Sequence, residues 1–495
     1  MKKKVLIPNR GVVALDIIDS LKSIGLETIL LHSPEDTHTL PVKFADRSYK
    51  FYSSKLADSY LDIDTILELG RELKVDFIHP GYGFLAEVPE FARRCQENGI
   101  AFIGPDARTL EAVHDKLALR KIAAGHSIPV VRQSDLIKSP LDVAVLPAHF
   151  KFPLLLKPVR GSGGQGIRFI PSSRDVQEGV NQMMRRESNR RQGVFFEEFH
   201  GEGHHIEIPF FRDVGGNILF LPEIESSIQR RFQKIFQESP SVNLSAAQRT
   251  GLYQSAQRLI EAIGYVGFGY VEFILLGGKA FFFEINPTLQ INTLMAEIHL
   301  LSNAIKKQFA IATGELLHNV KGVKIVEPQH SVMLVSLMAE DPHNNFQPSS
   351  GQVGDFFTYS TIRNIFKTSL YTGASVSPLY DPYIGKIVTF SVKRDNCIND
   401  MKNFLEHIII RGIATNIHFL KCFLVSEPLA RGATIIDYFH QKWDYAGRRK
   451  EESDSLIAAA LLSAAFHIEN RQKNYAAELQ RMKQPGFFKR LFRRL

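Results

Sequence analysis

The stretch FGYVEFILLGGKAFFFEINPTLQIN, residues 268–292, reads as two strands joined by a tight turn, with acids on one face. Val271, Phe273 and Leu275 alternate with Glu272 and Ile274, Gly277-Gly278-Lys279 supplies a short glycine-bearing loop, and Phe281 to Ile285 returns in β-favouring residues. With the turn centred on Gly278, Glu272 falls opposite Glu284, and Asn286 lies two residues further along the same face. Facing carboxylates with Cβ atoms roughly 5 Å apart repel unless a cation lies between them. A hard divalent ion is the fitting remedy, since Mg²⁺ is held by one or two carboxylates together with substrate phosphates. Taken alone, the same pattern also reads as a hairpin with an exposed polar face.

Working outward, 495 residues at 44% hydrophobic content exceed one core and call for about two to four domains. No apolar run is long enough to span a bilayer, and Met1-Lys2-Lys3-Lys4 is followed by only Val5-Leu6-Ile7 before a polar turn, too short for a signal peptide. A cytoplasmic protein is expected. Cys95, Cys397 and Cys422 are scattered and read as core thiols rather than a disulfide framework or metal cluster. The formal charge of +8 suits nucleic acid or a handler of phosphates and carboxylates. The basic residues are dispersed with no stacking platform, which argues against nucleic acid.

Toward the amino terminus, Val5–Ile7 is a short strand, Asn9-Arg10-Gly11 a turn, Val12–Ile24 an amphipathic helix stopped by Gly25, and Thr28–His32 a second strand. The alternation continues through a helix over Ile63–Leu73 and a strand at Phe77-Ile78-His79, so the fold class is α/β with a doubly wound parallel sheet at this end. Only Gly11 follows the first strand where G-x-G-x-x-G would be needed, so no nicotinamide cofactor is proposed.

Between these regions, FKFPLLLKPVRGSGGQGIRFIP (150–171) places Lys157 at the end of an apolar strand, then Gly161, Gly163, Gly164 and Gly166 before another strand. Such a loop lets backbone N–H groups close around phosphate oxygens, with the lysine neutralising them, although a glycine-rich hairpin is often purely structural. Val194 to Phe199 is an apolar strand ending in Glu197-Glu198, suited to an adenine edge or simply a strand end. Lys116 sits on a predicted helix, where a lysine is commonly a solvated residue.

A helix lysine, a strand lysine with a glycine hairpin, a Glu strand and an acid hairpin with Glu-x-Asn, in that order, resemble the ATP-grasp layout. Within it the chain resembles the biotin carboxylase subunit or domain of biotin-dependent carboxylases over residues 1 to about 445. The matching stretches are Asn9-Arg10-Gly11, His79-Pro80-Gly81-Tyr82-Gly83-Phe84-Leu85, Gln229-Arg230-Arg231, Tyr380-Asp381 and Ile384-Gly385-Lys386. The resemblance implies ATP and Mg²⁺, with Mn²⁺ as a substitute. It places Lys116, Lys157, Gly163, Gly164 and Gly166 at the phosphates, Glu197 at adenine, His205 and Gln229 near the nucleotide, Lys234 at the reacting groups, and Glu272, Glu284 and Asn286 around the metal. It also implies bicarbonate or a small carboxylate as co-substrate, biotin on a separate carrier, partnership with a carboxyltransferase, and a homodimer.

The acceptor side departs from the family pattern E-x-N-x-R-x-Q-V-E-H. The arginine that grips bicarbonate is Thr288, the general base is Asn292, the arginine four residues before the glutamate of A-E-D-P is Ser336, and the histidine of Q-R-R-H-Q-K is Phe232. A positioned general base contributes about 10²- to 10⁴-fold. Losing one partner of a desolvated charge pair costs roughly 2–5 kcal/mol. Both losses together would nearly abolish ordinary biotin carboxylation unless Arg230, Arg231 or Lys234 compensates.

The implied organisation is an amino-terminal α/β domain (1–114), an ATP-grasp domain (115–330) with a mobile lid over about 131–203, a carboxyl-terminal α+β domain (331–445), and a helical, basic tail (446–495). A helix is predicted over Ser455–Ile468, and no biotin-attachment sequence follows. The end of the chain, residues 486–495, is basic and amphipathic, a pattern that suits an anionic membrane surface or a partner groove but more commonly reads as disorder. The function expected is that of a Mg-ATP-dependent ligase with an altered acceptor site; the alternative is a catalytically impaired ATP-binding subunit that regulates or scaffolds a carboxylase.

Overall fold

Strands β1 (Lys4–Ile7), β2 (Glu27–His32), β3 (Arg47–Lys50), β4 (Phe77–Ile78) and β5 (Ala101–Phe102) form an all-parallel sheet in the order β3-β2-β1-β4-β5. Val5, Leu6 and Ile7 are all fully buried, as a strand covered on both faces requires. The chain reverses spatial direction across β1, so the loops after β1 and β4 meet at the carboxyl edge of the sheet. Asn9 Nδ2 ties these loops together, donating to Pro80 O at 2.6 Å and Tyr82 O at 3.0 Å. Gly81 has φ +74°, and a Cβ there would lie 2.8 Å from Asn9 Nδ2, so this turn accepts only glycine.

The structure is a computed structural model, and it describes residues 2–145, 150–161, 166–359 and 361–441. Residues 1–441 form one compact unit. Gly163, Gly164, the helix predicted over Ser455–Ile468 and the basic end of the chain lie outside the described residues. Among the described residues no helix is long and apolar enough to cross a membrane.

A small antiparallel sheet, β7-β6-β8, follows, with β6 at Leu154–Pro158, β7 at Arg168–Ile170 and β8 at Val194–Glu198. The largest sheet has ten strands and includes β9 (His204–Arg212), β10 (Ile218–Phe220), β11 (Ile224–Arg230), β12 (Gln233–Ser239), β13 (Gly267–Leu276) and β14 (Lys279–Asn286). It continues without a break into the carboxyl-terminal part, where Phe236 pairs with Val335 and Val335 with Ile387.

The β13/β14 hairpin pairs Glu272 with Glu284 as expected, by a different route. The turn holds only Gly277 and Gly278, with φ +54° and +79°, the two positive values that a tight hairpin demands. Counted from that turn, Glu272 would meet Phe283. Phe273 pairs with Phe282, however, and Glu272 with Glu284, so Phe283 is the extra residue of a β-bulge that restores the carboxylate pair.

Candidate functional site

A cavity of about 620 Å³ opens where the carboxyl edge of the parallel sheet, the small sheet and the large sheet converge. Lys116, Lys157, Glu197, His205, Gln229, Phe232, Lys234, Glu272, Glu284, Asn286, Thr288 and Asn292 all contribute to its wall. Residues from seven strands and the helix Lys116–Gly125 are thereby brought together across more than 170 positions of sequence (116 to 292). Asp115 caps that helix, accepting from Ala118 N at 2.9 Å, and so fixes Lys116 at its first position.

At one end lies a buried ionic triad. Glu197 bonds Lys157 Nζ at 2.6 Å through one oxygen and Arg120 Nη2 at 2.5 Å through the other. Burial favours the neutral Glu197, but Arg120 and Lys157 outweigh it and hold its carboxyl below the usual range; burial pushes the Lys157 ammonium down. Arg120 also donates to Phe283 O at 3.0 and 3.2 Å, while the Phe283 ring lies 4.2 Å from Lys157 Nζ. The bulge thus turns its extra residue into the wall of the site. The Glu197 carboxylate is used inside the protein by these two cations.

At the centre, Glu272 is fully buried and surrounded by donors. His205 Nε2 lies 2.6 Å away, Lys234 Nζ 3.0 Å and Gln290 Nε2 3.3 Å, with Asn286 Nδ2 also in contact. Gln229 Nε2 donates both to His205 Nδ1 at 2.7 Å and to Ser226 O at 2.9 Å, which leaves the His205 proton on Nε2, facing Glu272. Lys234 bridges Glu272 and Glu207, the latter at 2.6 Å. Burial pushes the Lys234 ammonium down and the Glu272 carboxyl up, but their mutual charges, with the Glu207 carboxylate beside Lys234 and the His205 hydrogen bond to Glu272, prevail and keep both ionised.

Glu284 faces Lys116 Nζ at 3.6 Å, and that ammonium also donates to Gly161 O at 2.6 Å, at the root of the glycine segment. Glu272, Glu284 and Asn286 offer a hard ion two carboxylates and an amide oxygen from paired strands, a donor set that fits Mg²⁺. His205, Glu207 and Glu272 also place ligand atoms within 4.8 Å of one another, yet the Lys234 ammonium stands between the two acids.

The acceptor end is unlike this. Thr288 Oγ1 lies 3.4 Å from Glu87 Oε1. Asn292 is fully buried and donates to Glu207 Oε2 at 3.1 Å. Phe232 stands at the tip of the β11/β12 hairpin, where Arg231 and Phe232 both have positive φ, +50° and +64°. Ser336 corrects the expectation of an altered wall residue: it is fully buried, and its hydroxyl donates to Lys234 O at 2.8 Å instead of reaching the cavity. Arg230 is paired with Glu340 over the Phe346 ring, and Arg231 donates to Asn345 O at 3.0 Å, so of the cations weighed as compensators Lys234 is the one on the cavity wall.

Arg120, Glu207, Glu87 and Gln290 escaped the sequence reading. Arg120 stands one helical turn after Lys116 and Glu207 two strand positions after His205, so helical and strand periodicity would have put each on the face of a residue already singled out. For Glu87, which trails the HPGYGFL turn, and Gln290 there was no comparable signal.

Residues 1–110 match the family "Biotin carboxylase, N-terminal domain", 115–320 "Carbamoyl-phosphate synthase L chain, ATP binding domain" and 335–441 "Biotin carboxylase C-terminal domain". Biotin carboxylase 1 of Bacillus subtilis is 32% identical over 437 residues, covering 87% of this chain and 97% of the relative. The chain belongs to the biotin carboxylase family. Biotin carboxylase of Pseudomonas aeruginosa is 30% identical over 447 residues, covering 89% of this chain and 99% of that one. Among solved structures, the biotin carboxylase domain dimer of Hydrogenobacter thermophilus 2-oxoglutarate carboxylase, in complex with MgADP, ADP and bicarbonate, superposes with a TM-score of 0.84 at 29% identity, covering 89% of this chain and 98% of that one. The architecture is the three-part biotin carboxylase fold, and the relatives are ATP-dependent ligases.

Proposed function

We propose that this chain binds ATP with Mg²⁺ in the cavity and transfers the γ-phosphoryl group to bicarbonate or another small carboxylate, giving an acyl phosphate whose carboxyl or acyl group then passes to an acceptor. In the family that acceptor is biotin on a separate carrier. The observation that carries the reading is the Glu272–Glu284 pair, set by a bulge in the hairpin and flanked by Lys116, Lys157 and Lys234. The ion held by Glu272, Glu284 and Asn286 would neutralise charge on the phosphates during transfer. Lys116 and Lys157 each already rest on a carboxylate, so phosphate oxygens can replace partners that are in place before the nucleotide arrives. Lys234, kept cationic by Glu207 and Glu272, would stabilise charge on the transferring group. The same reading implies a cytoplasmic homodimer working with a biotin carrier or carboxyltransferase subunit.

A second reading, an ATP-binding subunit that regulates or scaffolds a carboxylase, is favoured by Asn292, which has no basic lone pair where the family has its base. ADP release with Mg-ATP and bicarbonate, measured with and without free biotin, separates the two. Turnover that falls about 10²- to 10³-fold in Glu272→Gln supports the ligase. Nucleotide binding without turnover on any carboxylate supports the scaffold.

A further inference from the structure

Glu87 is an acid of the cavity wall that the reading above leaves without a task. It follows the turn after β4, faces Thr288 Oγ1 at 3.4 Å, and forms no ion pair with a described residue. The groups around it are Lys116 from the helix Lys116–Gly125, Glu284 from β14, Glu272 from β13 and the buried Tyr265. Lys116 is engaged by Glu284 and by Gly161 O. The Glu87 carboxyl and the Thr288 hydroxyl therefore offer hydrogen-bond acceptors to the cavity that no ion pair among the described residues occupies.

Once Glu87 is ionised, an anion seated between it and Thr288 would meet a carboxylate and no guanidinium. A group with several N–H donors and a positive charge would satisfy both oxygens at once and offset the acid. The gap of 3.4 Å, long for a hydrogen bond between the two side chains themselves, gives such a donor two acceptors to bridge. The cavity, at about 620 Å³, has the size of a site for a nucleotide with a small second ligand.

We propose that Glu87 and Thr288 are the specificity-determining seat of a primary amine, the acceptor in place of a ureido group or a second anion. This assignment rests on the acyl-phosphate reading for its chemistry but not for its binding. In that chemistry the bound ammonium first gives one proton to the Glu87 carboxylate, and the freed nitrogen lone pair attacks the carbonyl carbon of the acyl phosphate. The C–N bond forms, the C–O bond to the phosphate breaks, and inorganic phosphate leaves with the electron pair and takes up the nitrogen proton.

The test is saturation-transfer NMR on the full chain loaded with Mg²⁺ and a non-hydrolysable ATP analogue, with propylamine as probe and acetate and propanol as anionic and neutral controls. Propylamine is expected to bind in preference to both controls. Glu87→Gln should weaken it about tenfold, and Thr288→Val, which keeps the volume and removes the hydroxyl, about threefold. Thermal melting and analogue affinity of each variant establish that it is folded. Propylamine binding as strong in both folded variants as in the wild type, or acetate displacing propylamine, would overturn the assignment. Amine binding through Glu87 with no ADP release on bicarbonate or any carboxylate supports the seat and removes the acyl-phosphate reading, so the two fail separately.

Discussion

The two ends of the cavity handle charge in opposite ways. At the nucleotide end every cation has a carboxylate waiting: Lys157 and Arg120 share Glu197, Lys116 faces Glu284, and Lys234 bridges Glu207 and Glu272. At the other end Thr288, Asn292 and Phe232 line the wall as neutral side chains, and one acid, Glu87, faces a hydroxyl. The metal pair depends on the hairpin register, whereas this neutral wall depends on the side chains beyond the hairpin.

The largest effect is expected where the contrast is deepest. Glu197→Ala strands two buried cations, and chemical denaturation should show a loss of about 3–5 kcal/mol. A loss below about 1 kcal/mol would mean that the triad is not the built-in frame of the nucleotide end.

Glu87 supplies the next test, through pH. Burial first, then Glu284 and Glu272, raise its carboxyl to about 7 against the opposing pull of Lys116. The folded state therefore holds a proton that the unfolded chain releases near 4.5. This contribution is fully present below the unfolded value and is lost as pH rises through the folded one. Wild-type stability measured relative to Glu87→Gln should fall by up to about 1.4 kcal/mol per pH unit across that window, and parallel curves would show that Glu87 is ionised throughout.

Thr288→Arg sharpens the comparison from the other side by giving Glu87 a guanidinium partner. Bicarbonate-dependent ADP release should rise about tenfold. No rise, with the variant folded, would place the obstacle at Asn292. Smallest is Phe232→Gly, which relieves a positive φ at the hairpin tip and should raise stability by about 0.5–1 kcal/mol.

Much of this was legible in the sequence, and the reasons differ by residue. The β13/β14 pair could be read because glycines mark a tight turn and apolar alternation marks the strands. The bulge at Phe283 could not, because it is fixed by Arg120 binding the Phe283 carbonyl from a helix 163 positions away. Ser336 was misplaced because alignment to a motif says which residue stands at a position, not how far its side chain reaches. The Glu197 carboxylate looked available for a ligand because neither Arg120 nor its distance from Lys157 is visible in a strand read alone.

The central claim is that the opposed glutamates hold a divalent ion against the phosphates of a nucleotide. Calorimetric titration of the full chain with ATP, in Mg²⁺ and then in excess chelator, with Glu284→Gln alongside, addresses it directly. Binding is expected to weaken at least about tenfold without Mg²⁺ and to stop responding to Mg²⁺ in the variant. Equal affinity with and without the ion, or a variant that responds to Mg²⁺ as the wild type does, would contradict it.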